Sequence, residues 1–305
     1  MKPPVMVVLD PVLKAPQPAF EKAKQLAVAR NTSLVVAVNG YSSPMVRAVG
    51  YDKQRLEAAT TQIRHAWEQR IASLASGMTC SAHVLWEKRE IDALQKIILD
   101  YKPSMVVVHT SSDSGLKRHL FTPRDWQLIR KAPCDVMCIH SQPWHTPPSL
   151  LLAVDPDTGN DGSDDLSVKV TGMARTLSEQ VQGSLKACHV MDAVDDSLVL
   201  LMGETLSDFS GSLNDIKETQ KTSFKRFASR EGLSADQVVL LEGPVAPTLS
   251  HYCKDNDVDL LIVGTVHRKL PERLLLGATA EAVITRASCD VLVVKPDDFQ
   301  TSWKS

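Results

Sequence analysis

The sequence predicts an α/β protein built from two tandem copies of one domain, each a five-stranded parallel sheet with helices on both faces. Three observations predict it. Segments recur at a fixed spacing along the 305 residues, short β-branched runs alternate with helix-period segments, and the strand runs are apolar throughout rather than at every second residue.

The repeat is legible residue by residue. Pro133-Cys134-Asp135-Val136-Met137-Cys138 parallels Ser288-Cys289-Asp290-Val291-Leu292-Val293, 155 residues later. Pro103-Ser104-Met105-Val106-Val107-Val108-His109 parallels Val258-Asp259-Leu260-Leu261-Ile262-Val263-Gly264 at the same offset, and the loops from His109 to Thr122 and from Gly264 to Gly277 are equal in length. Nearer the front, Val7-Val8-Leu9-Asp10-Pro11 parallels Leu152-Ala153-Val154-Asp155-Pro156 at an offset of 145, so the second copy has gained about ten residues. Gln142-Pro143-Trp144-His145-Thr146-Pro147-Pro148, with three prolines in seven residues, forms a stiff connector. The domains expected are therefore 1–142 and 149–305.

In the first copy strands are expected near 5–10, 33–39, 80–85, 104–109 and 135–140, and helices near 17–30, 53–75, 90–101 and 123–131. In the second, strands are expected near 149–155, 184–191, 237–241, 259–264 and 290–295, and helices near 163–181, 212–230, 246–256 and 278–287. The helix over 212–230 sets Leu213, Ile216, Phe224 and Phe227 on one apolar side. Apolar strands joined by crossover helices belong to a parallel sheet covered on both faces, and right-handed crossovers leave few topologies.

Composition excludes several classes. A net charge of −2 gives no basic field for direct nucleic-acid or anionic-lipid binding. No apolar run approaches the roughly 18–20 residues that span a bilayer, and no signal peptide precedes Val5, so a cytoplasmic protein without a membrane span is expected. The six scattered cysteines form no C-x-x-C pair and read as small buried hydrophobes.

Open α/β sheets hold ligands outside the carboxyl ends of their strands. Three segments of the second copy reach that edge: Asp155-Pro156, then Glu242-Gly243-Pro244, and the loop from Gly264 to Thr279. The last is the sharpest. Gly264 ends a strand and Gly277-Ala278-Thr279 opens a helix, where exposed N–H groups and the helix dipole favour a phosphate. Arg268 and Lys269 share the loop and could balance phosphate charge. In the first copy Thr122 and Asp125 form a T-x-x-D helix start with Pro123 at the first helical position, a terminus that caps itself.

These segments resemble the universal stress proteins of the tandem E type. Gly-Thr-Val at 264, Gly-Ala-Thr-Ala-Glu at 277 and Cys-Asp-Val-Leu-Val-Val-Lys-Pro at 289 carry the likeness in the second half, and Leu-Phe-Thr-Pro-Arg-Asp-Trp-Gln-Leu-Ile-Arg at 120 carries it in the first. The resemblance implies Rossmann-like domains with strand order 3-2-1-4-5, ATP held through G-x-x-G, nine residues, then G-[ST], and a contact from Asp155 to base or ribose. It also implies an intramolecular pseudo-dimer of the two copies, with a homodimer of chains and an unknown protein partner left open. The cofactor-binding set it suggests is Asp155, Gly243, Gly264, His267, Arg268, Gly277, Ala278 and Thr279. Two positions depart from the family frame: His267 stands at the second glycine and Ala278 at the hydroxyl position.

Competing readings stand beside these. Asp155 before Pro156 also suits a turn. His109, Ser112, His119, Asp113 and Asp125 match no zinc spacing. Trp126 suits packing or base stacking. Leu198-Val199-Leu200-Leu201-Met202 suits a core run or the wall of an apolar-ligand site. No catalytic signature is present, which leaves at most slow ATP hydrolysis. Three functions remain: a nucleotide-sensing stress-response module, a nucleotide-free interaction protein, and a carrier of an apolar small ligand.

Overall fold

A computed structural model describes residues 2–50, 52–113, 118–140, 142–156, 163–191, 193, 196–205, 209–265 and 276–303. The chain divides into two units. The first takes in the chain to Asp113, Leu120–Gln142 and the segment from Gln300, and the second takes in Arg118, His119 and Pro143–Phe299.

In the first unit the elements are β1 (Val5–Val8), α1 (Pro18–Arg30), β2 (Leu34–Asn39), α2 (Ser43–Ala48), α3 (Lys53–Leu74), β3 (Cys80–Leu85), α4 (Glu90–Tyr101), β4 (Met105–His109), α5 (Pro123–Lys131) and β7 (Asp135–Ile139). Two three-residue strands, β5 (Ser111–Asp113) and β6 (Arg118–Leu120), interrupt the loop before α5. The sheet runs β3-β2-β1-β4-β7 with every pair parallel, so the five main strands lie in order 3-2-1-4-5. Val7 pairs with Val36 on one side and Val107 on the other. β1 and β7 are buried at every residue, whereas edge strand β3 is not. This is why the inner strands read as unbroken apolar runs.

Pro18 starts α1 with its fixed φ. Asn31, in the left-handed conformation at φ 49, stops it. The helix buries Ala19, Phe20, Ala23, Leu26 and Ala27, and each fully buried Leu or Phe stabilises by about 1.5–3 kcal/mol. The segment from Gln300 is tied here by Thr301, whose hydroxyl donates to the Lys131 carbonyl over 2.6 Å.

The second unit repeats the plan with β8 (Ser149–Ala153), α6 (Ser163–Val181), β9 (Ser184–Met191), α7 (Asp196–Thr205), α8 (Phe209–Arg230), a 3-10 turn (Ala235–Gln237), β10 (Val238–Glu242), α9 (Val245–Asp255), β11 (Leu260–Gly264), α10 (Ala278–Arg286) and β12 (Asp290–Val294). Its sheet runs β10-β9-β8-β11-β12, again parallel and again 3-2-1-4-5. The expected connector is largely part of this unit. Trp144 Nε1 donates to Asp290 over 2.7 Å, while the backbone N–H groups of His145 and Ser149 donate to Asp259 over 2.9 and 2.7 Å.

Three expectations need correction. The sequence pattern missed α2, a six-residue helix started by the Ser42 hydroxyl, which accepts from Met45 N–H. In α8, Phe224 and Phe227 are buried but Ile216 is 55% exposed, so the apolar side narrows toward the helix start. The run around Leu200 forms α7, with Leu198 and Leu201 more than half exposed, so neither residue lies in the core. Of the six cysteines, all in thiol form, four are buried and Cys80 and Cys134 are half-buried. Burial pushes the Cys188 thiol well above its usual range, with Cys253 nearby adding to the effect. No helix among the described residues is long and apolar enough to cross a membrane.

Candidate functional site

The carboxyl ends of the strands present a different chemistry in each unit. In the first, Asp10 follows β1 and His109 ends β4, and their side chains meet at 2.6 Å between His109 Nδ1 and Asp10 Oδ2. The Asp10 backbone is fixed from below: its N–H donates to Gln17 Oε1 over 3.0 Å, and Gln17 Nε2 donates to the Asp10 carbonyl over 3.1 Å. A buried Gln17 thus sets the loop between β1 and α1.

The start of α5 is closed by its own side chains. Thr122 N–H donates to Asp125 Oδ2 over 2.8 Å, and Asp125 N–H donates back to the Thr122 hydroxyl over 3.3 Å, which makes a capping box. Arg124 donates to Asp125 Oδ1 through Nε at 3.0 Å and lies 3.5 Å from Glu90 at the start of α4. Asp125 is 1% exposed. Burial alone would lower the Arg124 guanidinium, but Asp125, Glu90 and Asp10 hold it above its ordinary value. Burial lifts the Glu90 carboxyl above the usual range; Arg124 opposes the shift, and Asp125 and Asp10 add to it.

A carboxyl raised on folding stabilises below its unfolded pKa, about 4.3, and that contribution is lost as pH rises through the folded value. Glu90→Gln cannot titrate. Its stability relative to the parent is expected to climb between about pH 4 and neutrality, as read by urea unfolding across that range. A constant difference would show that Glu90 keeps its ordinary pKa.

The second unit keeps Asp155 where the repeat sets Asp10 but replaces the other side chains of this edge with smaller or apolar ones. Gly264 stands where the repeat sets His109, Gly277 where it sets Thr122, Ala278 for Pro123, Thr279 for Arg124, Ala280 for Asp125 and Val245 for Glu90. Gly277 caps α10 at φ −62 and ψ 146, an extended conformation open to any residue, and as glycine it brings no side-chain cap to the helix start. Gly277 is half-buried, and Ala278 and Thr279 are exposed.

Gly264 has a packing reason of its own. A Cβ there would lie 3.1 Å from Leu166 and 3.2 Å from Val170, both on α6. Gly243 follows β10 at φ +137, and a Cβ would meet the Thr248 hydroxyl at 2.7 Å. It is therefore a turn glycine beside the edge. Asp155 follows β8 and is exposed. His267, Arg268 and Lys269 lie outside the described residues, as does the rest of 266–275.

Trp126 packs on Phe121 with ring centroids 4.9 Å apart, and Arg130 stacks 5.3 Å over its ring. Among the described residues no group of three His, Cys, Asp or Glu side chains could hold a metal ion. The sequence reading overlooked Gln17, Glu90 and Arg124. The offset of 155 that aligns α5 with α10 could have revealed Arg124, opposite Thr279.

A profile of the universal stress protein family matches residues 1–140 and 150–295. Over 304 residues the chain is 26% identical to universal stress protein E of Escherichia coli K12, covering 97% of this chain and 95% of that one. A universal stress protein E homolog of Haemophilus influenzae is 29% identical over 237 residues, 76% of this chain and 75% of its own. Among solved structures, a putative universal stress protein from Pseudomonas aeruginosa UCBPP-PA14 superposes with a TM-score of 0.72 at 22% identity, covering 97% of this chain and 94% of that one. The profile matches, one over each unit, establish that this chain belongs to the universal stress protein family.

Proposed function

We propose that the second unit binds adenine nucleotide, ATP, and that the chain serves as a cytoplasmic stress-response sensor whose first unit has given up that role. The observation that carries this reading is the contrast between the two strand edges. In the first unit Asp10, Glu90 and Asp125 bring three carboxylates against one guanidinium, an acidic edge that opposes phosphate, and the capping box uses the helix N–H groups. In the second, Gly277, Ala278 and Ala280 leave the start of α10 without a side-chain cap.

The triphosphate lies over Gly264 and at the first N–H groups of α10, which have no partner within the helix. Asp155 contacts ribose or base from the end of β8. Gly243 lies beside the base, and Arg268 balances phosphate charge. Thr279, one place after the family's hydroxyl position, supplies the only hydroxyl in Gly277-Ala278-Thr279. His267 narrows the phosphate path.

A second reading, a nucleotide-free interaction protein, is favoured by two observations. Ala278 offers no hydroxyl, and packing on α6 already accounts for Gly264. Calorimetric titration of the intact chain with ATP separates the two. One nucleotide per chain is expected. None supports the interaction protein, and two would mean that the closed edge of the first unit binds after all.

A further inference from the structure

We propose that the second unit carries a separate site for a small carboxylate at the amino ends of its strands, with Arg175 as the group that receives it. The site is a groove of about 650 Å³ between the last turns of α6, the first residues of β9 and the turn that follows α8. It is remote in sequence and in the sheet from the strand carboxyl ends, so it does not depend on the nucleotide reading.

Two hydroxyls and one amide of the walls are already bonded. Ser178 donates to the Gly183 carbonyl over 2.8 Å, and the Ser234 hydroxyl donates to Gln237 over 2.9 Å. Gln237 in turn donates to the Leu185 carbonyl over 3.4 Å, joining the turn to β9. These bonds hold the groove open in one shape.

Among the buried side-chain nitrogens and oxygens of the lining residues, one atom of Arg175 is left over. Its Nη2 is shielded from solvent and has no hydrogen-bond partner among the described residues. Glu179 sits four residues on along α6, a spacing at which Arg and Glu commonly pair. No ion pair forms between them, although both line the groove.

The first unit shows what a satisfied cation does at this place. Counting back from the left-handed residues Asn31 and Gln182 that end α1 and α6, Lys24 occupies the position of Arg175. Lys24 donates to the carbonyl of Leu74, the last residue of α3, over 3.1 Å. The second unit puts a longer, forked side chain there, without that bond, and keeps a groove in front of it.

The charges select the ligand. Ser234 and its own backbone N–H hold the Asp236 carboxyl below the usual range, with Lys186 adding the least. Glu179 and Asp236 oppose a multiply charged anion. A planar carboxylate with a single charge matches the guanidinium fork in two parallel hydrogen bonds.

The test is an NMR titration of the intact, isotope-labelled chain, following the Arg175 Nε–H signal with acetate and, separately, with inorganic phosphate. Acetate is expected to shift that signal saturably and more tightly than phosphate does. Arg175→Lys keeps the charge and the stem but loses the fork, and is expected to weaken acetate about ten-fold; Arg175→Gln is expected to abolish its binding. An unsaturable response, acetate binding unchanged in Arg175→Lys, or tighter binding of phosphate would each overturn the assignment.

Discussion

Replacing Asp125 with alanine is expected to destabilise the first unit by about 3 kcal/mol, a larger loss than any other single change at that edge. The buried carboxylate accepts from Thr122 N–H, from the Thr122 hydroxyl, and from Arg124. Removing it strands a guanidinium whose side chain is only 16% exposed, with Glu90 at 3.5 Å as its remaining partner. Breaking a buried ion pair from one side costs about 3–5 kcal/mol, and Glu90 keeps the figure at the lower end. Thr122→Ala removes only the cap and should cost about 1 kcal/mol. The two units need not unfold together, so urea unfolding should be followed by probes in each. The expected result is an early transition of the first unit in Asp125→Ala, with the second unmoved. If both variants cost the same, Arg124 contributes nothing beyond the cap.

The same network explains which parts of this molecule could be read from its sequence. The repeat, the ten main strands and the tandem plan follow from local signals: apolar runs of strand length, a glycine or proline at the boundaries, and an offset of 155 that holds across β4, α5 and β7. The capping box was legible for the same reason, since Thr122 and Asp125 are three residues apart. The closure of the first edge was not. His109 finds Asp10 across 99 residues, and Arg124 finds Glu90 across 34. No period in the sequence encodes such meetings; the fold creates them by bringing strand ends to one edge. Gly264 shows a related limit. Its sequence context suggests room for a phosphate, and only the packing of Leu166 and Val170 adds a second reason for the absent side chain. α7 misled for the opposite reason: apolar content was visible, but whether Leu198 and Leu201 are covered depends on what lies beside the helix.

The nucleotide reading of the second unit is decided by substitutions that leave its fold in place. Gly277→Val is expected to abolish ATP binding. The backbone there, at φ −62 and ψ 146, suits valine, so the variant should fold as the parent does. Its effect is then steric: two methyl groups occupy the volume in which phosphate meets the first N–H groups of α10. The opposite change restores the family frame. His267→Gly clears the loop, and Ala278→Ser supplies the missing hydroxyl where the exposed Ala278 now offers none. A recovered hydrogen bond contributes about 0.5–1.5 kcal/mol. The double variant should therefore bind ATP about ten-fold tighter than the parent, a gain of about 1.4 kcal/mol. Calorimetry on the parent, the two single variants, the double variant and the valine variant, with thermal unfolding of each as the control for fold, reads the whole series. Binding that ignores Gly277→Val puts the nucleotide elsewhere on the chain. Absence of binding in the double variant, with its unfolding unchanged, leaves the second unit as an interaction module whose open helix start serves no nucleotide.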